Sequence, residues 1–117
     1  MTFTFPWPPR MLSPNVSGHW AKKASTKKAY RTACKRIVDE TQVNLAGMPP
    51  DATVSVLMRF YPPSKRHYDW DNLIASMKAG LDGLADGLGV NDNLFRPTIE
   101  VAENTSGGKV VIQVEVM

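Results

Sequence analysis

A mixed α+β fold in one domain is predicted by three features of the chain. Apolar and polar residues alternate in four separated stretches, the spacing of strands. Two intervening stretches carry the three-to-four-residue spacing of helices. Prolines and glycines cluster where one spacing gives way to the other. The order is β-α-β-α-β-β, read as a mixed sheet with two helices packed against it. Domains commonly run about 100–200 residues, so a chain of 117 is expected to be a single domain over 1–117. A hydrophobic fraction of 43% is enough for one core.

Thr2 to Phe5 puts Phe3 and Phe5 on one face of a short strand. Pro6-Trp7-Pro8-Pro9 ends it, because proline cannot donate to a ladder and restricts the residue before it. A loop follows through Pro14, Asn15 and Gly18. From about Ser25 to Gln42 the spacing is helical, with Tyr30, Ala33, Cys34, Ile37, Val38 and Thr41 on one stripe for burial. Gly47-Met48-Pro49-Pro50 closes that element.

Thr53 to Tyr61 places Val54, Val56, Met58 and Phe60 on one side of a strand, which Pro62-Pro63 stops. Asp71 is then expected to cap a second helix running to about Leu88. Leu73, Met77, Leu81, Leu84 and Leu88 form its core stripe; Asp71, Ala75, Lys78 and Asp82 lie on the opposite one. Gly87 to Asn93 is rich in glycine and Asx residues and reads as a loop. Ile99 and Val101 mark a strand from Thr98. Asn104 to Gly108 makes a turn, and Val110, Ile112, Val114 and Val116 alternate through the last strand.

The chemistry concentrates in Lys65-Arg66-His67-Tyr68-Asp69-Trp70-Asp71-Asn72 and in Asp92 beyond. Carboxylates two positions apart, beside cations and at a helix start, suit a hard divalent ion that holds a phosphate. The competing reading is local: Asp71 caps its helix and Asp69 closes a turn. Lys78, two turns along on the side of Asp71, is placed to contact a phosphate or neutralise a leaving oxygen. Asp92 sits in Asn91-Asp92-Asn93, where an ordinary turn is the alternative. It reaches the other acids only if the chain runs back along a helix of about 25 Å. Asp82 and Asp86 read as solvated helix acids.

Net charge is +3 with an isoelectric point near 9.2, a bias towards polyanionic partners. Lys22, Lys23, Lys27, Lys28, Arg31, Lys35 and Arg36 supply half of the cations with no acid between them. A solvated amphipathic helix is one reading of that segment. The other is a phosphate contact that relieves its self-repulsion. Trp7 and Trp20 either stack on bases or pack over the core.

Several classes are set aside. His19, His67 and one cysteine cannot assemble a usual zinc set, no phosphate-cradling glycine loop is present, and neither histidine pairs recognisably with Cys34. Cys34 reads as a buried spacer; without a partner for a disulfide it fits a reducing cytosol. No apolar run is long enough to span a bilayer and no signal core is visible, so a soluble cytoplasmic protein is expected.

Pro6-Trp7-Pro8-Pro9 with Asn15, then Asp69-Trp70-Asp71-Asn72-Leu73, Lys78, Leu81-Asp82-Gly83-Leu84 and Gly89-Val90-Asn91-Asp92, together resemble the RusA family of phage-type Holliday junction resolvases. The resemblance covers almost the whole chain in order. It implies a Mg²⁺-dependent homodimer, with Mn²⁺ as a substitute, encoded by a phage or prophage and acting in the bacterial cytoplasm. By position, Asp69, Asp71 and Asp92 would bind metal and, with Lys78, form the active site. Three departures stand out. Tyr68 occupies a place where arginine is often seen, which leaves Arg66 or Lys65 for that role. Lys78 follows Asp71 by seven residues rather than the four of some members. Asn91 replaces an acid often found beside the third aspartate.

The function expected is a structure-selective endodeoxyribonuclease that cuts four-way DNA junctions by metal-assisted phosphodiester hydrolysis. Asn15, Lys22, Lys23, Lys27, Lys28, Arg31, Lys65 and Arg66 are the expected DNA contacts, largely independent of sequence. The alternatives are a non-catalytic DNA-binding recombination accessory protein and a metal-dependent flap or RNA nuclease.

Overall fold

The structure is a computed structural model describing residues 1–117. Its elements run β1 (Thr2–Pro6), α1 (Trp20–Glu40), β2 (Val54–Tyr61), α2 (Trp70–Ser76), α3 (Lys78–Leu88), β3 (Phe95–Val101) and β4 (Lys109–Val116). Short 3-10 turns occupy Arg10–Leu12 and Asp92–Leu94. The fold is mixed α+β, as the spacing predicts, with three helices instead of two.

The four strands stand in the order β1-β4-β2-β3. β4 pairs antiparallel with both β1 and β2, from Phe3↔Ile112 on one side to Met58↔Ile112 on the other. β2 and β3 are parallel, Val54 opposite Phe95, which requires the long α2–α3 crossover between them. The turn at Asn104–Gly108 therefore closes no hairpin: β4 leaves β3 and inserts between β1 and β2. The free edge of β3 carries Pro97 and the charged Arg96 and Glu100, which blunt it against further pairing.

Alternation buries one face of the sheet: Phe3, Phe5, Val54, Val56, Met58, Phe60, Val110, Ile112 and Val114 all enter the core. Opposite them lie Tyr30, Cys34 and Val38 of α1 and Leu84 and Leu88 of α3. A fully buried side chain of this size contributes about 1.5–3 kcal/mol. Cys34 is a buried spacer, and burial pushes its thiol up to about 12, so it stays protonated and inert.

Three boundaries differ from expectation, each for a physical reason. Helix α1 begins at Trp20, five residues before Ser25, because its first turn is exposed and carries no apolar stripe to betray it. Thr41 is exposed and ends the helix, its hydroxyl donating to the carbonyl of Val38. Strand β3 starts at Phe95, three residues before Thr98, since an edge strand exposed at Arg96, Pro97 and Thr98 shows no alternation. The expected second helix is two helices. Ser76 donates back to the carbonyl of Asn72 (2.8 Å), a bond that bends helices, and the amide of Met77 is shared between the carbonyls of Leu73 and Ile74. Its N-cap is Asp69 rather than Asp71, which lies within the first turn.

Helices α1 and α3 run in the same direction and touch backbone to backbone. Gly83 faces the carbonyl of Arg31, and Gly87 faces Val38. A Cβ added at Gly87 would stand 2.6 Å from that of Val38, and one at Gly83 would collide with the Arg31 carbonyl oxygen. Gly89 ends α3 in the left-handed region (φ 75°) and turns the chain back. The close approach predicts that Gly83→Ala destabilises by about 1–3 kcal/mol, despite alanine's better helix propensity. Urea unfolding checks this: an unchanged or higher midpoint would show that the two helices can move apart freely.

Candidate active site

Asp69, Trp70 and Asp71 leave the end of the central strand β2 through an eight-residue loop and open α2. The loop is pinned from behind. Trp7 stacks edge-on against Phe60 (5.8 Å between centroids) and Tyr68 (5.5 Å), and the Arg66 guanidinium lies 5.2 Å over the Tyr68 ring. Trp7 is thus a packing residue, and Tyr68 anchors the position before the first acid. Asp69 is exposed; its carboxylate meets Nε2 of His67 at 3.1 Å and the side-chain amide of Asn72 at 3.4 Å. Asp71 is exposed too, and accepts from the backbone N–H of Asn72 (3.0 Å).

Two grooves flank α2, and Ser76 lines both. The first, of about 460 Å³, brings Asn15 and Arg66 to Asp69 and Asn72. These residues are 57 positions apart in the chain at the extremes, and the Pro8-Pro9 turn carries the early segment to the later one. The second groove, of about 780 Å³, opens between α1 and the α2–α3 pair, with Lys27, Lys28 and Arg31 on one wall and Lys78 and Asp82 on the other.

Asp92 does run back, because α3 starts afresh after Met77 and Gly89 reverses the chain. Its carboxylate accepts from Nζ of Lys78 at 2.6 Å, and the same ammonium donates to Asp82 at 3.0 Å. Asp82 lies 3.9 Å from the Arg31 guanidinium, whose main partner is Asp86 through two bonds of 2.6 and 2.9 Å. Five charged groups from α1, α3 and the turn after it therefore form one network. The hydrogen bond from Lys78 holds the Asp92 carboxyl below its ordinary range; that of Arg31 does the same for Asp86. Lys78 is raised in turn, by Asp92 first and Asp82 second.

The structure thus joins Asp92 to Lys78, and Asn15 and Arg66 to Asp69. It does not bring Asp69, Asp71 and Asp92 into one cluster: no group of three or more His, Cys, Asp or Glu side chains is arranged to hold a metal ion. Asp82, partly sheltered, and Asp86, exposed, are both paired with cations. Arg31 is engaged by Asp86, whereas Lys22, Lys23, Lys27, Lys28, Lys65 and Arg66 form no ion pair. The four-residue spacing from Lys78 to Asp82 and from Asp82 to Asp86 is the signal that would have flagged the network, since i,i+4 neighbours share a helix side. No helix is long and apolar enough to cross a membrane.

The sign of the pH dependence follows from these shifts. The folded Asp86 carboxyl titrates below its ordinary value of 3.8, so its stabilisation is complete above that value and lost as pH falls through the folded one. Wild type is therefore expected to melt above Asp86→Asn at neutral pH, with the gap closing in acid. Thermal melts from pH 6 downward check this, and a gap that stayed constant to about pH 2 would refute the coupling.

No family model matches the chain. It is similar to an uncharacterized protein of Xylella fastidiosa (strain Temecula1), 33% identical over 115 residues, which cover 97% of this chain and 74% of that protein. At that identity and coverage, the chain belongs to the same family as the Xylella fastidiosa protein.

Proposed function

We propose that this protein is a RusA-type endodeoxyribonuclease that acts on branched DNA, cutting four-way junctions by paired phosphodiester hydrolysis. The observation that carries the reading is the return of Asp92 to Lys78, 14 residues earlier. It gathers an acid and a cation named from sequence at the α2–α3 junction, one helix away from the exposed Asp69-Trp70-Asp71-Asn72 segment. Exposed carboxylates within a basic surface suit phosphate chemistry, because the cations hold the backbone while the acids stay open to a metal.

The cofactor in this reading is Mg²⁺, with Mn²⁺ as a substitute, at Asp69, Asp71 and Asp92. Bound there, an ion would supply Lewis-acid stabilisation of charge on a phosphate, with these carboxylates as its oxygen ligands. The three acids do not converge in this structure, so their shared ligation rests on their chemistry and order. Lys78 provides a positive charge at phosphate reach, kept protonated by Asp92 and Asp82. Asn15 and Arg66 border Asp69 and orient the strand there. A homodimer in the cytoplasm of a bacterial cell, phage- or prophage-encoded, completes the proposal, since a two-fold junction is matched by two sites related by a two-fold axis.

A second reading has its own support. Asp82 and Asp92 already share the ammonium of Lys78, and no three-carboxylate group is assembled. That favours a binding protein that recognises branched DNA without cutting it.

A nicking assay on a synthetic four-way junction decides between them. The nuclease cuts only with Mg²⁺ or Mn²⁺, and Asp71→Asn slows cutting on the order of a hundredfold or more while junction affinity is kept. Binding without any incision selects the accessory protein. Faster cutting of a flap or structured RNA than of the junction would move the substrate class.

A further inference from the structure

We propose that the groove between α1 and the α2–α3 pair is a binding site for single-stranded nucleic acid, with Trp20 as its stacking platform. Trp20 is 78% exposed, at the first position of α1, with its ring stacked on that of His19 at 6.1 Å. A tryptophan left this open forgoes the burial that such a large side chain normally gains. Trp20, Lys23, Lys27 and Arg31 follow one another at i, i+3, i+7 and i+11 and form one stripe of α1. Lys23, Lys27 and Arg31 of that stripe line the groove together with Lys28, and Trp20 continues the stripe beyond the lining, at the start of the helix.

The two kinds of surface match the two halves of a nucleotide. The groove floor is aliphatic, from Leu12, Ile74 and Ala79, and takes the faces and edges of unpaired bases. Its rim holds Lys23, Lys27 and Lys28, free of ion pairs, and its one acid, Asp82, is engaged by Lys78. Trp20 to Arg31 spans about 16 Å of helix, enough for a short run of nucleotides. A duplex hides its base faces, so it would use the lysines but leave Trp20 and the floor uncovered. A single strand uses both, because stacking tolerates any base while the cations track the backbone. An acidic peptide would satisfy the lysines but has no comparable need for an open indole.

The site rests on the reading that this chain acts on nucleic acid, but not on cleavage. It would give the protein a grip on unpaired nucleotides at the centre of an opened branch, beside Lys78 and Asp92.

The test is titration of the full-length protein with oligothymidylate in EDTA, which removes divalent ions and hence any metal-dependent cutting. Tryptophan fluorescence and anisotropy of the labelled strand are both read. Wild type is expected to bind the single strand with quenching. Trp20→Ala abolishes the quenching and weakens single-strand binding roughly tenfold, leaving affinity for duplex of equal length unchanged. Lys27→Gln lowers the salt slope of single-strand binding by about 0.7. Both positions are exposed, so neither change disturbs the core. Equal effects of Trp20→Ala on single strand and duplex, or none on either, would overturn the proposal. So would poly-glutamate binding as well as the oligonucleotide and insensitive to Trp20→Ala, which would make the groove a site for acidic peptides. Junction binding without single-strand binding removes this site and leaves the nuclease reading intact. Single-strand binding by a protein that never cuts supports the site and removes the nuclease.

Discussion

Helix α3 lies against α1 with glycine backbone where side chains would ordinarily stand, and most of the charged surface follows from that approach. Gly83 and Gly87 let the carbonyl of Arg31 and the side chain of Val38 come within contact of the opposing helix. At this separation the Arg31 guanidinium reaches Asp86 and Asp82 across the seam. A wider seam would leave Asp86 to water, while Asp82 would keep its contact with Lys78 on its own helix. The interhelical distance, a steric quantity, thereby sets which charges are satisfied within the molecule.

The basic residues of α1 differ in whether they find an acid. Arg31 and Lys35 are bound to Asp86 and Asp39. Lys22, Lys23, Lys27 and Lys28, nearer the start of the helix, precede the part of α3 that carries acids and keep their charge unpaired. Unbalanced like charge on a helix is a small cost that an anionic partner would relieve. Four cations without ion pairs are thus gathered at the start of one helix, even though the net charge of +3 is mild.

Around α2 the structure depends on an aromatic clamp. Trp7 sits between Phe60 at the end of β2 and Tyr68 at the end of the following loop, so the first strand's exit fixes the approach to Asp69. That arrangement explains why a proline-rich turn near the N-terminus and an acidic motif 60 residues later share one groove. It also gives Tyr68, a departure from the resemblance to the RusA family, a packing role that an arginine would fill differently.

Periodicity alone determined that this chain is mixed α+β, most of the residues that enter the core, and that Cys34 is buried, because burial of one face leaves a repeat of two or of three to four; Thr41, on the same repeat, is exposed. It also located the Asp69–Asn72 segment at a helix start, since Asx residues satisfy open backbone donors there. Exposed structure was illegible for the same reason: the first turn of α1 and the free strand β3 bury too little to leave a repeat. Only the tertiary structure decided that β4 inserts between β1 and β2, that α3 starts afresh after Met77, and that Asp92 comes back to Lys78 while Asp69 and Asp71 stay apart from it. Those are matters of direction and distance between segments remote in the chain. A linear pattern of hydrophobicity carries neither.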